Sequence, residues 1–220
     1  MKSLSLPLLL TLTLCCGSAW AVDDISKVNG AISAEAGRAY GDLETVNGGI
    51  TVGAGATARS IQTVNGAITV HDGASTGSVS TVNGKIALGL RVMAEGNIET
   101  VNGHIFVDRG SQIDGRVENV NGSIGLVETR VSNSIETVNG DITVGVGSQV
   151  GGGIHVERPS FGISLSAPRK PRIIIGPNAS VAGELRFERE VVLYVHRTAS
   201  IGPVVGAEVV PFDTDTAPRN

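Results

Sequence analysis

The stretch Val64-Asn65-Gly66-Ala67-Ile68-Thr69-Val70 decides the fold, because its opening tripeptide recurs along the chain. Val-Asn-Gly returns with its asparagines at Asn29, Asn47, Asn65, Asn83, Asn102, Asn121 and Asn139, at intervals of 18, 18, 18, 19, 19 and 18 residues. Self-similarity at a fixed short period marks a repeat architecture. Aligning on the tripeptide exposes apolar columns. The first runs Ile32, Ile50, Ile68, Ile86, Ile105, Ile124 and Ile142, and the second lies two residues further on, from Ala34 to Val144. That period of two puts both columns on one side of a strand, facing inward. A third column, Leu43, Ile61, Val79, Ile98, Val117 and Ile135, precedes the next tripeptide. Between the second and third columns the register wanders by one residue, which places the length variation in one corner of each rung.

The columns continue after the tripeptide stops. Ile142, Val144, Val150 and Ile154 find counterparts 31 residues on at Ile173, Ile175, Val181 and Leu185, then 20 further on at Leu193, Val195, Ile201 and Val205. The expectation is an all-β, single-stranded parallel β-helix of about nine rungs of 18–19 residues, with Ile25 as a partial first rung. A repeat this short cannot bury its own apolar face. Stacking at the inter-strand spacing of about 4.8 Å closes the core and makes a rod roughly 40 Å long. Composition agrees: 30 Gly, only 7 aromatic residues, and an apolar fraction carried by Val, Ile, Leu and Ala suit thin strands and tight turns.

The solenoid is expected over residues 22–210, with an insertion at 157–172 and a flexible tail at 211–220. Residues 1–21 read as a signal peptide: Lys2, the apolar stretch Leu8 to Leu14, and Ala19-Trp20-Ala21 as the cleavage site. The expected location is periplasmic or extracellular. Cys15 and Cys16 both fall in the leader, so disulfides contribute nothing to the rest. Cys15 follows Leu14 rather than a small residue, which argues against lipidation. Without Lys2 there are 16 basic against 21 acidic side chains, a net charge of −5. That balance excludes nucleic acid as a main partner, and no second apolar stretch is long enough to span a membrane.

Val144-Gly-Val-Gly-Ser-Gln-Val-Gly-Gly-Gly-Ile154 and Ile175-Gly-Pro-Asn-Ala-Ser-Val-Ala-Gly-Glu-Leu185 resemble the rungs of bactofilins, bacterial polymer-forming β-helix proteins. The Val-Asn-Gly-x-Ile strings also resemble bacterial putative-adhesin β-solenoids. The resemblance implies a right-handed helix and end-to-end assembly. The leader departs from the bactofilin pattern, because that family works in the cytoplasm.

Asn-Gly tolerates positive φ, so the tripeptide reads as the turn that opens each rung. The seven asparagines Asn29 to Asn139 are expected to form a side-chain ladder of structural purpose. An exposed amide row that binds sugar or ice-like surfaces is the functional alternative. His71 and His196 share an outward column on distant rungs, His104 and His155 fall in two other columns, and all four read as solvated, with no metal-ligand spacing. No cofactor and no enzymatic activity are expected. A hexapeptide acyltransferase needs a six-residue period, and a pectin-lyase-like enzyme needs paired carboxylates over a groove. The column Glu99, Glu118 and Glu136, preceded by Glu44 and followed by His155, reads as splayed, solvated charges that suppress lateral aggregation. The insertion gathers Arg158, Arg169, Lys170 and Arg172 beside Phe161, Ile163 and Leu165. Arg158, Phe161, Arg169, Lys170 and Arg172 are the candidate partner contacts, aimed at an acidic envelope polysaccharide or protein. An extra strand closing an edge accounts for the same alternation equally well. The remaining candidate is self-association of rods, as an oligomer or an end-to-end polymer. The alternative function is a polysaccharide-binding or polysaccharide-acting surface.

Overall fold

The computed structural model describes residues 23–159, 169–214 and 216–218. It is a parallel β-solenoid of roughly ten turns with three walls, and the inward columns are those read from the sequence. Wall one is a ten-stranded sheet from Ile32–Ala34 at one end to Val209–Phe212 at the other. In it Ile32, Ile50, Ile68, Ile86, Ile105, Ile124, Ile142, Ile173 and Leu193 stack as direct neighbours and are essentially without exposure. Val209–Phe212 adds a tenth strand beyond the nine expected rungs.

Walls two and three belong to one sheet. Three nine-residue strands, Ala39–Asn47, Thr57–Asn65 and Ser75–Asn83, bend across both walls. From Met93–Ala94 and Ile98–Asn102 onward each is split in two. The cause is one extra residue: Thr76 and Val79 are three apart, whereas their partners Ala94 and Ile98 are four apart. The rung after Leu126 drops a residue at the other corner, since Val107 and Ile113 are six apart but their partners Leu126 and Val131 only five. The length variation therefore occupies two corners, not one. The tripeptide corner keeps a constant seven residues from third column to first until the insertion.

Two further expectations are corrected. The last member of the third column is Val204, which pairs with Leu185. Val205 pairs with Arg186 and points outward, because the Gly202-Pro203 corner is one residue shorter than Ala182-Gly183-Glu184. The tail assigned from Pro211 begins later, since Pro211 and Phe212 are in the last strand and Phe212 is buried.

The tripeptide glycines are explained differently from the sequence reading. Among them only Gly30 and Gly122 have positive φ, and none of the ladder asparagines does. Instead, a Cβ on Gly66, Gly84 or Gly103 would lie 1.8–2.0 Å from the carbonyl oxygen of the glycine one rung before. Glycine is required there by close stacking of backbones. The left-handed turn lies at another corner, in Gly37, Gly55, Gly73, Gly110 and Gly147, with Arg91, Glu128 and Asn178 taking the same conformation in other rungs.

Inside the tripeptide corner, Thr45, Thr63, Thr81 and Thr100 are buried, and each hydroxyl donates to the glycine carbonyl of the preceding rung at 2.9–3.2 Å. Thr76 is the exception in the core: among the described residues its buried Oγ1 has no hydrogen-bond partner. An unpaired buried hydroxyl costs free energy that an apolar isostere does not. Thr76→Val is expected to raise stability by about 1 kcal/mol, read as a higher urea midpoint with an unchanged m-value.

Candidate functional site

Outside the core the chain presents three regions that could meet a partner. The first is the insertion. Its described cations are all engaged within the chain. Arg158 binds Glu188 through its backbone N–H and through Nε to the Glu188 carbonyl, both at 3.4 Å. Arg169 Nη2 lies 2.6 Å from Asp141 Oδ2, and Lys170 Nζ lies 2.8 Å from Glu190 Oε2. Arg172 is the first residue of the strand Arg172–Ile175; its N–H donates to Asp141 Oδ1, its guanidinium lies over Tyr194, and Nη2 donates to the Pro218 carbonyl. Lys170 holds the Glu190 carboxyl below its ordinary pKa, and the hydrogen bond from Arg158 does the same for Glu188. The four cations thus tie both ends of the insertion to the rod. Phe161, Ile163 and Leu165 lie outside the described residues.

The second region is the outer surface of wall one near the C-terminal end. Residues Thr216 and Ala217 lie over Thr143, Val146, Ile174 and Phe212, around a cavity of about 660 Å³. The last strand, Val209–Phe212, explains His196, which pairs with Phe212 across the ladder. It shares an outward column with His71, as read from the sequence, but it is buried rather than solvated. Phe212 in the added strand meets its ring edge-on at 5.0 Å, and its Nδ1 accepts from the Thr198 N–H.

The third region runs along wall three. Each strand there places an outward residue (Glu44, Gln62, Ser80, Glu99, Glu118), then a buried one, then a valine, then the ladder asparagine. The outward residues and the valines form two ridges beside a groove of about 450 Å³ that follows the rod axis. Val46, Val64, Val82 and Val101 are each 39–40% exposed, a continuous apolar ridge that sequence reading missed. Its signal in the sequence is the valine of every tripeptide.

The asparagine ladder is complete. Six bonds of 2.9–3.0 Å run from Nδ2 of each asparagine to Oδ1 of the one before, from Asn139 back to Asn29. It is exposed along its length, not enclosed. At its C-terminal end Arg189 Nη1 donates to Asn139 Oδ1 at 2.5 Å and to the Val138 carbonyl.

Glu99, Glu118 and Glu136 are direct neighbours across the ladder, with His155 next. Glu99 accepts from Asn97, and Glu136 accepts from Ser134 and lies 3.8 Å from Arg116. Glu118 has its pKa raised, first by burial and then by the charges of Glu136 and Glu99. Among the described residues no group of three His, Cys, Asp or Glu side chains could hold a metal ion.

The chain matches no family model, no curated protein and no solved structure.

A carboxyl with a raised folded-state pKa costs stability once it ionises in both states. The cost is absent below the unfolded value of about 4.3 and accrues as pH rises through the folded value. Glu118→Gln is accordingly expected to raise the urea midpoint at pH 7, and this gain should vanish below about pH 4. A variant that is less stable than the wild type at pH 7 would show that the Glu118 charge is stabilising.

Proposed function

We propose that this chain is an exported, non-enzymatic structural and interaction protein of the bacterial cell envelope, an adhesin-like or polymer-forming rod that associates with copies of itself. One observation carries the self-association. The seven-residue strand Asp23–Asn29 closes the N-terminal end of the rod and, among the described residues, is paired on one side only, by Ala39–Asn47. Its free side offers unpaired backbone groups, a template for another strand edge. The opposite end presents Ser200–Ile201, Val204–Val205 and Val209–Phe212, each paired on one side only among the described residues, the edges that a head-to-tail contact would meet. The leader pattern supports export, and the bactofilin-like rungs support assembly.

The test is solution scattering and electron microscopy of the purified protein over a concentration series. Species longer than one rod are expected. Ile25→Lys, a charge at the partly buried end of the core, should abolish them without unfolding the rod. Single rods at every concentration would overturn the reading. Export is tested by fractionation and by N-terminal sequencing, with Val22 expected as the first residue.

A second reading, a polysaccharide-binding or polysaccharide-acting surface, is favoured by the groove along wall three, where Glu99 and Glu118 stand on adjacent rungs. It would show as a glycan-dependent activity or affinity lost in Glu118→Gln.

A further inference from the structure

We propose that the valine ridge and its groove are a lateral interface for a second copy of this chain, laid parallel to the first. This deepens the self-association reading above and rests on it. The face offers a similar set of groups at every rung, an outward side chain and a valine at the groove and an asparagine amide beside it, repeating at the strand spacing of about 4.8 Å. An occupant must keep that spacing over five consecutive rungs to fill it. An extended peptide along the rod axis advances about 3.4 Å per residue and falls out of phase within a few residues. A second copy has the same spacing by construction, so every rung meets an equivalent rung.

Chemistry then selects the orientation. Across the face the order is outward column, groove, valine ridge, amide ladder. A two-fold axis along the rod brings the two copies together parallel. Each valine ridge then drops into the groove of the other copy, as in the dry interdigitation of stacked sheets. The same operation sets the outward column of one copy against the ladder of the other. Each ladder amide spends one N–H on its neighbour and has a second to donate, and Glu99 and Glu118 supply carboxylates to accept it. An antiparallel pair at full overlap would set Glu118 against the partner's Glu44, where like charges repel, and would set amide ladder against amide ladder, so that the second N–H groups face one another and not a carboxylate. The glutamates thus specify how the rods pack instead of preventing it.

Five rungs extend roughly 25 Å, and with a layer width of about 10 Å the contact covers on the order of 250 Å² per copy. A standard interface buries about 800 Å² per partner. Pairing of single rods is therefore weak, and becomes strong when rods already joined at their ends present several such strips together.

The experiment uses the protein with Cys15→Ser and Cys16→Ser, so that an introduced cysteine is unique. Single substitutions Val46→Cys, Val82→Cys and Val101→Cys are oxidised at high protein concentration. A parallel in-register pair brings each residue to its own counterpart, so covalent dimers are expected from all three. Dimers from only one position would mean antiparallel packing and overturn the proposal. In sedimentation, Val64→Lys with Val82→Lys is expected to weaken lateral association at least tenfold with an unchanged melting temperature. Association equal to wild type in that variant would also overturn it. So would a protein that stays monomeric at millimolar concentration while a linear β-linked glucan oligomer shifts the Val64 and Val82 methyl resonances, because the groove would then belong to a glycan. Ile25→Lys is expected to remove end association and keep the cross-links, which separates failure of the end contact from failure of this one.

Discussion

Replacing Ile105 with Asp is expected to abolish folding of the whole rod. Ile105 is 1% exposed and lies between Ile86 and Ile124 in the middle of wall one. A carboxylate there has no cation or donor to meet it, and an unpaired buried charge costs more than about 4 kcal/mol. That is a large share of the 5–15 kcal/mol that holds a typical domain together. Because each rung contacts only its neighbours, a break in the middle uncouples the two halves. The adjacent His104 is exposed, and its Nδ1 accepts from the Ser123 N–H. A carboxylate can take over that role, so His104→Asp is expected to cost at most about 1 kcal/mol. Circular dichroism and urea denaturation of the two variants give the check. Native stability in Ile105→Asp with loss in His104→Asp would reverse the inward and outward assignments.

The second large effect is expected from the smallest change. A Cβ on Gly84 would lie 1.9 Å from the Gly66 carbonyl oxygen and 2.5 Å from its carbon. Both atoms are backbone, and the corner is held by the Gly66 N–H bond to the Asn83 carbonyl and by the Thr81 hydroxyl bond to Gly66. Relief requires separating two rungs. Gly84→Ala is therefore expected to destabilise by about 3 kcal/mol or more. Gly55 makes the contrast: its Cβ would meet nothing within 4 Å, and its φ is +65°. Gly55→Ala carries only the left-handed backbone cost of about 1–2 kcal/mol. Equal losses in the two variants would show that φ, not stacking, explains the tripeptide glycine.

That glycine shows where sequence reading reached its limit. The columns headed by Ile32, Ala34 and Leu43 were legible because period two along a strand and 18–19 between rungs are both one-dimensional patterns. The ladder of asparagines followed from the same alignment. The reason for Gly66 or Gly84 was not legible, because the clashing atom belongs to a residue 18 positions away whose distance appears only after stacking. Val204 was missed for Val205 because a corner lost a residue, and nothing local marks such a loss. His196 is buried against the sequence expectation because its cover is Phe212, in a last strand that carries no repeat signal. Of the candidate contacts, Arg158, Arg169, Lys170 and Arg172 were legible as cations but not as staples, since Asp141, Glu188 and Glu190 lie on other rungs.

The amide ladder also gives the rod an electrical direction. All six bonds point the same way, from Nδ2 of the later asparagine to Oδ1 of the earlier one, so the amide dipoles add as peptide dipoles do along a helix. The positive pole is the free amide of Asn29 at the open end, and the negative pole is Asn139, where the guanidinium of Arg189 neutralises it. Among the described residues one pole is thus insulated and the other bare. Two such rods meeting bare end to bare end would oppose their dipoles and find donors facing donors. An arriving carboxylate, by contrast, would find at Asn29 an amide N–H already polarised by six others behind it.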